Sequence, residues 1–158
     1  MLRRFNGSER DVQDLAQKVF LIAYRKLDQF EGRSTVKTWL CGIALKVAAD
    51  YRNSAIYRRE ILRDVAIDLR SEQDPERDLV QKERLRELDR ILDTLPIEQR
   101  TVFVLFEFEQ LTGEEIAQIV GVSEGTVRSR LRLARHSFSR AIAERSRDDH
   151  PLARVGEP

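Results

Sequence analysis

The sequence predicts an all-α protein: two small helical domains joined by a linker, the second with a helix-turn-helix. Three observations predict it. Apolar residues recur at steps of three and four, and no run alternates cleanly between apolar and polar residues as a half-buried strand does. Prolines fall only at positions 75, 96, 151 and 158, leaving long uninterrupted segments. A sharp change of charge sign divides the chain near its middle.

The 158 residues are 41% hydrophobic and 35% charged, enough for a core beneath a charged surface. Two lobes of roughly 60–70 residues have thin cores and rely on helix–helix packing. The formal net charge is only +1, but its distribution is uneven. Residues 1–63 hold 13 basic and 7 acidic side chains, residues 64–93 hold 6 and 10, and residues 124–147 hold 7 and 2. Two basic ends around an acidic middle suggest two places that meet a polyanion. A single cysteine, Cys41, allows no intrachain disulfide and fits a reducing cytoplasm. No stretch approaches the roughly 18 apolar residues of a membrane helix, so no membrane insertion is expected.

The first predicted helix runs from Ser8 to about Leu27, with Ser8 or Asp11 as cap and Val12, Leu15, Val19, Ile22 and Ala23 along one side. Gly32 breaks it. A second helix starts at a Ser34 or Thr35 cap, carries Trp39, Ile43, Val47 and Ala48, and runs to Asn53. At that helical spacing Trp39 reads as core rather than as a stacking platform. Residues 64–76 are acidic, poor in large apolar groups and read as the linker. Pro75 opens the next helix, whose stripe is Leu79, Leu85, Leu88, Ile91 and Leu92. Leu95-Pro96 ends it and starts another, from Ile97 to about Phe108, with Val102, Phe103, Leu105 and Phe106 as core anchors.

Thr112 caps a short helix with Glu114 and Glu115 in its first turn, where the helix dipole favours acids. Gly121 sits at the corner, where a positive φ is accessible to glycine at little cost. Ser123 caps the last helix. There Val127, Leu131, Ala134, Phe138 and Ile142 share the inner sector, while Gly125, Ser129, Arg132 and His136 lie opposite, flanked by Arg128 and Arg135. A helix-turn-helix sets its second helix in the major groove of duplex DNA. Arginines on that side supply phosphate and bidentate guanine contacts, and small residues allow close approach. The bland alternative is a solvated arginine-rich face. The short helix, glycine corner and cap in series favour DNA recognition. Beyond Ala143 the sequence is polar and aperiodic, and residues 146–158 read as a disordered tail.

Residues 88–135, "LDRILDTLPIEQRTVFVLFEFEQLTGEEIAQIVGVSEGTVRSRLRLAR", resemble the fourth conserved domain of bacterial sigma factors of the extracytoplasmic-function (ECF) group. Residues 11–52, "DVQDLAQKVFLIAYRKLDQFEGRSTVKTWLCGIALKVAADYR", resemble their second conserved domain. The resemblance divides the chain into a region 2-like domain (1–63), the linker and a region 4-like domain (77–145). It implies a sigma factor that binds core RNA polymerase, recognises promoter −10 and −35 elements and promotes transcription initiation. By this resemblance Asp14, Leu15, Gln17, Lys18 and Phe20 contact a coiled coil of the largest polymerase subunit. Gly32, Arg33, Ser34, Thr35, Lys37 and Lys46 meet the −10 element as single-stranded DNA. Ser123, Gly125, Thr126, Arg128, Ser129, Arg132 and Arg135 meet the −35 element in the major groove. An anti-sigma factor is a further expected partner.

Three departures from the family pattern stand out. A helix of about two dozen residues that precedes the second conserved domain is represented only by "MLRRFNGSER". Lys18 replaces the usual glutamate and Lys46 a frequent asparagine; Leu133 replaces a residue that is commonly basic. A helix-turn-helix regulator that never joins polymerase, and a truncated sigma-like chain that mainly sequesters an anti-sigma factor, remain alternatives at this level. With two histidines and one cysteine no zinc site of usual ligand count forms, and no phosphate-binding glycine loop or nucleophile elbow occurs. No catalytic site, metal or cofactor is expected, and Cys41 reads as a small buried residue.

Overall fold

The computed structural model describes residues 1–6, 9–54 and 77–148. The proposed linker 64–76, the Ser8 cap and Pro75 lie outside those residues. The described residues form seven α-helices and no strand: α1 (Leu2–Asn6), α2 (Glu9–Arg25), α3 (Val36–Asn53), α4 (Arg77–Asp93), α5 (Ile97–Phe103), α6 (Gly113–Val120) and α7 (Glu124–Asp148). A short 3-10 turn, Leu27–Gln29, follows α2, and a π-helical turn, Val104–Phe108, continues α5.

The N-terminal half is a pair of helices with a stub. Leu15 and Val19 of α2 pack against Ala44 and Val47 of α3, and Met1 and Leu2 lean on the same cluster. Four buried residues make a small core, as the length of this half implies. Thr35 starts α3: its side chain accepts the Thr38 backbone N–H at 3.1 Å. Gly32 supplies the turn before it at φ +70°. Trp39 is only half-buried and stacks on Phe30 with ring centroids 5.0 Å apart. It is therefore not the core residue its spacing suggested: Thr38, Cys41, Ala44, Val47 and Ala48 form the buried side of α3.

The C-terminal half has a larger core, in which Leu92, Leu95, Val102, Phe103, Val104, Leu105, Leu111, Ile116, Val127, Leu131 and Ala134 are all buried. Phe103 stacks on Phe138 at 4.8 Å. Ile142, placed in the inner stripe by its spacing, is instead exposed at the rim of a cleft between α7 and α4, where Arg145 of α7 still pairs with Glu87 at 2.9 Å. The same helix continues to Asp148, past the polarity after Ala143; residues 149–158 of the expected tail lie outside the described residues. Polar residues with good helix propensity add turns to an established helix without needing burial.

Candidate nucleic-acid interface

The turn between α6 and α7 is built by local chemistry. Thr112 and Glu115 form a reciprocal capping box: the Thr112 backbone N–H donates to Glu115 Oε2 at 2.9 Å, and the Glu115 N–H donates to Thr112 Oγ1 at 3.2 Å. Gly121 ends α6 in the left-handed region, φ +70°, and its N–H donates to the Ala117 carbonyl at 2.9 Å. Ser123 then accepts the Thr126 N–H at 3.1 Å and starts α7.

This corner rotates α7 so that its two sides have different fates. Val127 is 0% exposed and Leu131 7%, while Arg128, Ser129 and Arg132 project into solvent, with Ser123 and Gly125 exposed beside them and Thr126 half-buried. Arg135 is exposed too, but its guanidinium is held by Glu107 at 2.6 Å and lies over the Phe106 ring at 5.1 Å. It is less available than Arg128 or Arg132, and sequence spacing carried no sign of the Glu107 pairing. Leu133 is exposed on the flank of the same side.

The N-terminal candidates divide into two groups. On α2, Asp14, Gln17, Lys18 and Phe20 are exposed, whereas Leu15 is buried and supports the helix instead of presenting surface. Leu21 and Tyr24 continue that exposed side, with Tyr24 79% exposed; the sequence reading missed both. Their signal was their position off the Leu15–Val19–Ile22–Ala23 stripe. In the loop before α3, Arg33 pairs with Glu31 and Ser34 is half-buried. Thr35 is engaged as the α3 cap.

The remaining two, Lys37 and Lys46, face the C-terminal half. Lys37 Nζ donates to the Glu109 carbonyl, and the Thr38 hydroxyl donates to Glu115 Oε1 at 2.5 Å. The Thr38 hydroxyl, then the Thr112 backbone N–H, hold the Glu115 carboxyl below its ordinary value. Lys46 lines a cleft of about 460 Å³ with Arg52, Ile97, Glu98 and Arg130. Cys41 is buried, which pushes its thiol pKa up and makes it a packing group. Among the described residues no group of His, Cys, Asp or Glu is placed to hold a metal, and no helix is long and apolar enough to cross a membrane.

The described residues thus carry a capped helix-turn-helix with outward arginines in one half and further basic residues in the other, an arrangement suited to a nucleic-acid-binding protein. Comparison with known proteins gives the family. The Sigma-70 region 2 model matches residues 1–55 and the Sigma-70, region 4 model matches residues 85–137. The RNA polymerase sigma-H factor of Pseudomonas aeruginosa is 34% identical over 152 residues, covering 90% of this chain and 78% of the relative. The ECF RNA polymerase sigma-E factor of Escherichia coli K12 is 36% identical over 142 residues, 84% of this chain and 74% of the relative. Among solved structures, CnrH in complex with the cytosolic domain of CnrY is 26% identical with a TM-score of 0.65, covering 90% of this chain and 78% of that one. The sigma factor RpoE of Bartonella quintana, 24% identical with a TM-score of 0.67 and covering 90% and 87%, has the same fold. The chain belongs to the sigma-70 family, in its ECF group, and is a sigma factor of transcription initiation. The family binds core RNA polymerase and promoter DNA.

Proposed function

We propose that this sigma factor divides promoter reading between its halves and docks on polymerase through α2. The N-terminal end of α7 enters the major groove at the −35 element, with Arg128 and Arg132 on base edges or phosphates and Ser123, Gly125, Thr126 and Ser129 allowing close approach. Arg135 contributes a phosphate contact when it leaves Glu107. The segment Gly32–Lys37 with Lys46 meets the −10 element as single strand, where basic side chains hold the backbone and a loop receives an unstacked base. Asp14, Gln17, Lys18, Phe20 and the adjoining Leu21 and Tyr24 form the surface for a coiled coil of the largest polymerase subunit. The work is binding rather than catalysis, and its place is the cytoplasm with the polymerase.

One observation carries the −35 assignment: Arg132, opposite the inner stripe of α7, and Arg128, on its flank, are exposed while Val127 and Leu131 are buried. An anti-sigma factor is the expected negative regulator; the similarity to CnrH, solved with the cytosolic domain of CnrY, supports a protein partner of that kind. Reconstituted run-off transcription with core polymerase tests the whole assignment. Start-site-specific product from a cognate promoter is expected with the chain and none without it. Capture of duplex DNA with no capture of core polymerase would favour a stand-alone regulator.

A further inference from the structure

We propose that the cleft lined by Lys46, Arg52 and Arg130 is a binding site for a small phosphate-bearing molecule with an apolar body, and that a nucleoside polyphosphate is the class it takes. The lead is an arginine that DNA reading leaves unused. Arg128, Arg132 and Arg135 of α7 are exposed, whereas Arg130 among them is half-buried. It lines the cleft of about 460 Å³ together with Lys46 and Arg52 of α3. Among the described residues no carboxylate pairs with Lys46 or Arg130. Arg52 is seated with its guanidinium 5.6 Å from the centre of the Phe5 ring. Glu98 is the single acid of the lining, so three cations face one carboxylate. Excess positive charge in a recess with low-dielectric walls holds a multiply charged anion more strongly than the same charges do on an open surface.

The remaining walls describe the rest of the ligand. Leu45, Ala49, Ile97, Ile119 and Val120 are apolar. Apolar walls with a few converging charges are the make-up of small-molecule sites, whose volumes run from about 300 to 1,000 Å³. An inorganic anion would leave those walls unused. A fatty acid brings one negative charge where the lining has two positive charges in excess. A nucleoside polyphosphate matches both parts: Arg130 offers a planar fork to two phosphate oxygens, Lys46 a mobile point charge, and the walls take the nucleoside. The room for it shows at Gly42. This residue lies on the same side of α3 as Lys46, Ala49 and Arg52, at steps of four and three, and lines the cleft with them. No atom lies within 4 Å of where a Cβ on Gly42 would stand, so the helix backbone itself borders open space there.

The test uses the full chain without polymerase, titrated with adenosine diphosphate and with guanosine diphosphate by isothermal calorimetry. Saturable binding of one nucleotide per chain is expected with at least one of the two, weakening as salt rises. Arg130→Gln should weaken it about tenfold, the loss of a charge-assisted contact. Gly42→Leu fills the open space on a helix and improves helix propensity, so it should abolish binding while the melting temperature holds or rises. The nucleoside alone and inorganic pyrophosphate alone should each bind more weakly than the whole. Absence of binding by both nucleotides would overturn the site, and so would binding that Gly42→Leu leaves intact. Pyrophosphate binding as tight as the nucleotide would overturn the nucleoside assignment. A single-stranded oligonucleotide separates a free nucleotide from a DNA backbone phosphate, because Lys46 is also a proposed −10 contact. It should bind more weakly than the nucleotide; equal affinity, lost equally in Gly42→Leu, would return the cleft to DNA and overturn the proposal.

Discussion

The two halves of this chain solve the same problem differently. The C-terminal half carries most of its own core and turns its proposed reading side to solvent: Leu92, Ile116 and Val127 are fully buried while Arg128 and Arg132 are exposed. The N-terminal half has four residues in its own cluster and gives Phe5, Cys41 and Ala48 to the core centred on the other half. Of its proposed reading residues, Lys37 donates to the Glu109 carbonyl and Lys46 lines a cleft with Ile97 and Arg130 of the other half. The difference teaches that a helix-turn-helix folds around its own corner, whereas a two-helix unit of this size borrows stability from whatever lies next to it.

The largest effects should separate the two cores. Leu92→Ala removes a fully buried side chain from the shared cluster and should cost about 3 kcal/mol in chemical denaturation. Val47→Ala, in the small cluster, should cost roughly 1–2 kcal/mol and show as early loss of protection in α2 and α3 by hydrogen exchange. Equal losses spread over the whole chain in both variants would erase the distinction.

The next effects concern the reading side. Arg128→Ala and Arg132→Ala should each weaken holoenzyme binding to the −35 element by about 1–3 kcal/mol, leaving the melting temperature unchanged. Arg135→Ala should do less to binding and more to stability, since it also frees Glu107. A filter-binding series over several salt concentrations checks both.

Smaller again is the corner itself. Gly121→Ala meets no neighbouring atom, so its cost comes from placing a Cβ at φ +70° and should be about 1 kcal/mol. Gly125→Ala lies on α7 with ordinary backbone and should leave stability unchanged or improved while reducing DNA binding. Thermal melts of the two variants, read side by side, separate backbone strain from contact loss.

The smallest is a pH effect. The Glu115 carboxyl has a lowered pKa because Thr38 and Thr112 donate to its charged form. Its stabilising contribution is fully present above the ordinary carboxylate value of 4.5 and fades as pH falls through the lowered one. Parent and Glu115→Gln denaturation curves should therefore differ at neutral pH and converge in acid. A constant gap across that range would remove the carboxylate from the account.

Much of this was legible in sequence because it is local. Thr35, Thr112, Gly121 and Ser123 act within a turn of themselves, and Val127, Leu131 and Ala134 follow one helical period. What escaped is what a neighbour decides. Period gives the apolar side of a helix but not whether anything covers it, so Ile142 was placed inside and Trp39 in the core. Five residues of α1 hold no measurable period, and burial of Phe5 depends on residues nearly ninety positions away. The exposed side of α2 at Leu21 and Tyr24 was visible only as residues that failed to join the stripe.

The most direct measurement is guanine methylation protection at the −35 element in the assembled holoenzyme, paired with permanganate reactivity of the opened −10 strand. The parent should protect −35 guanines; Arg128→Ala with Arg132→Ala should lose that protection while core binding persists. Protection identical to the parent in the double variant would contradict the account, because α7 would then not be the element that reads the duplex.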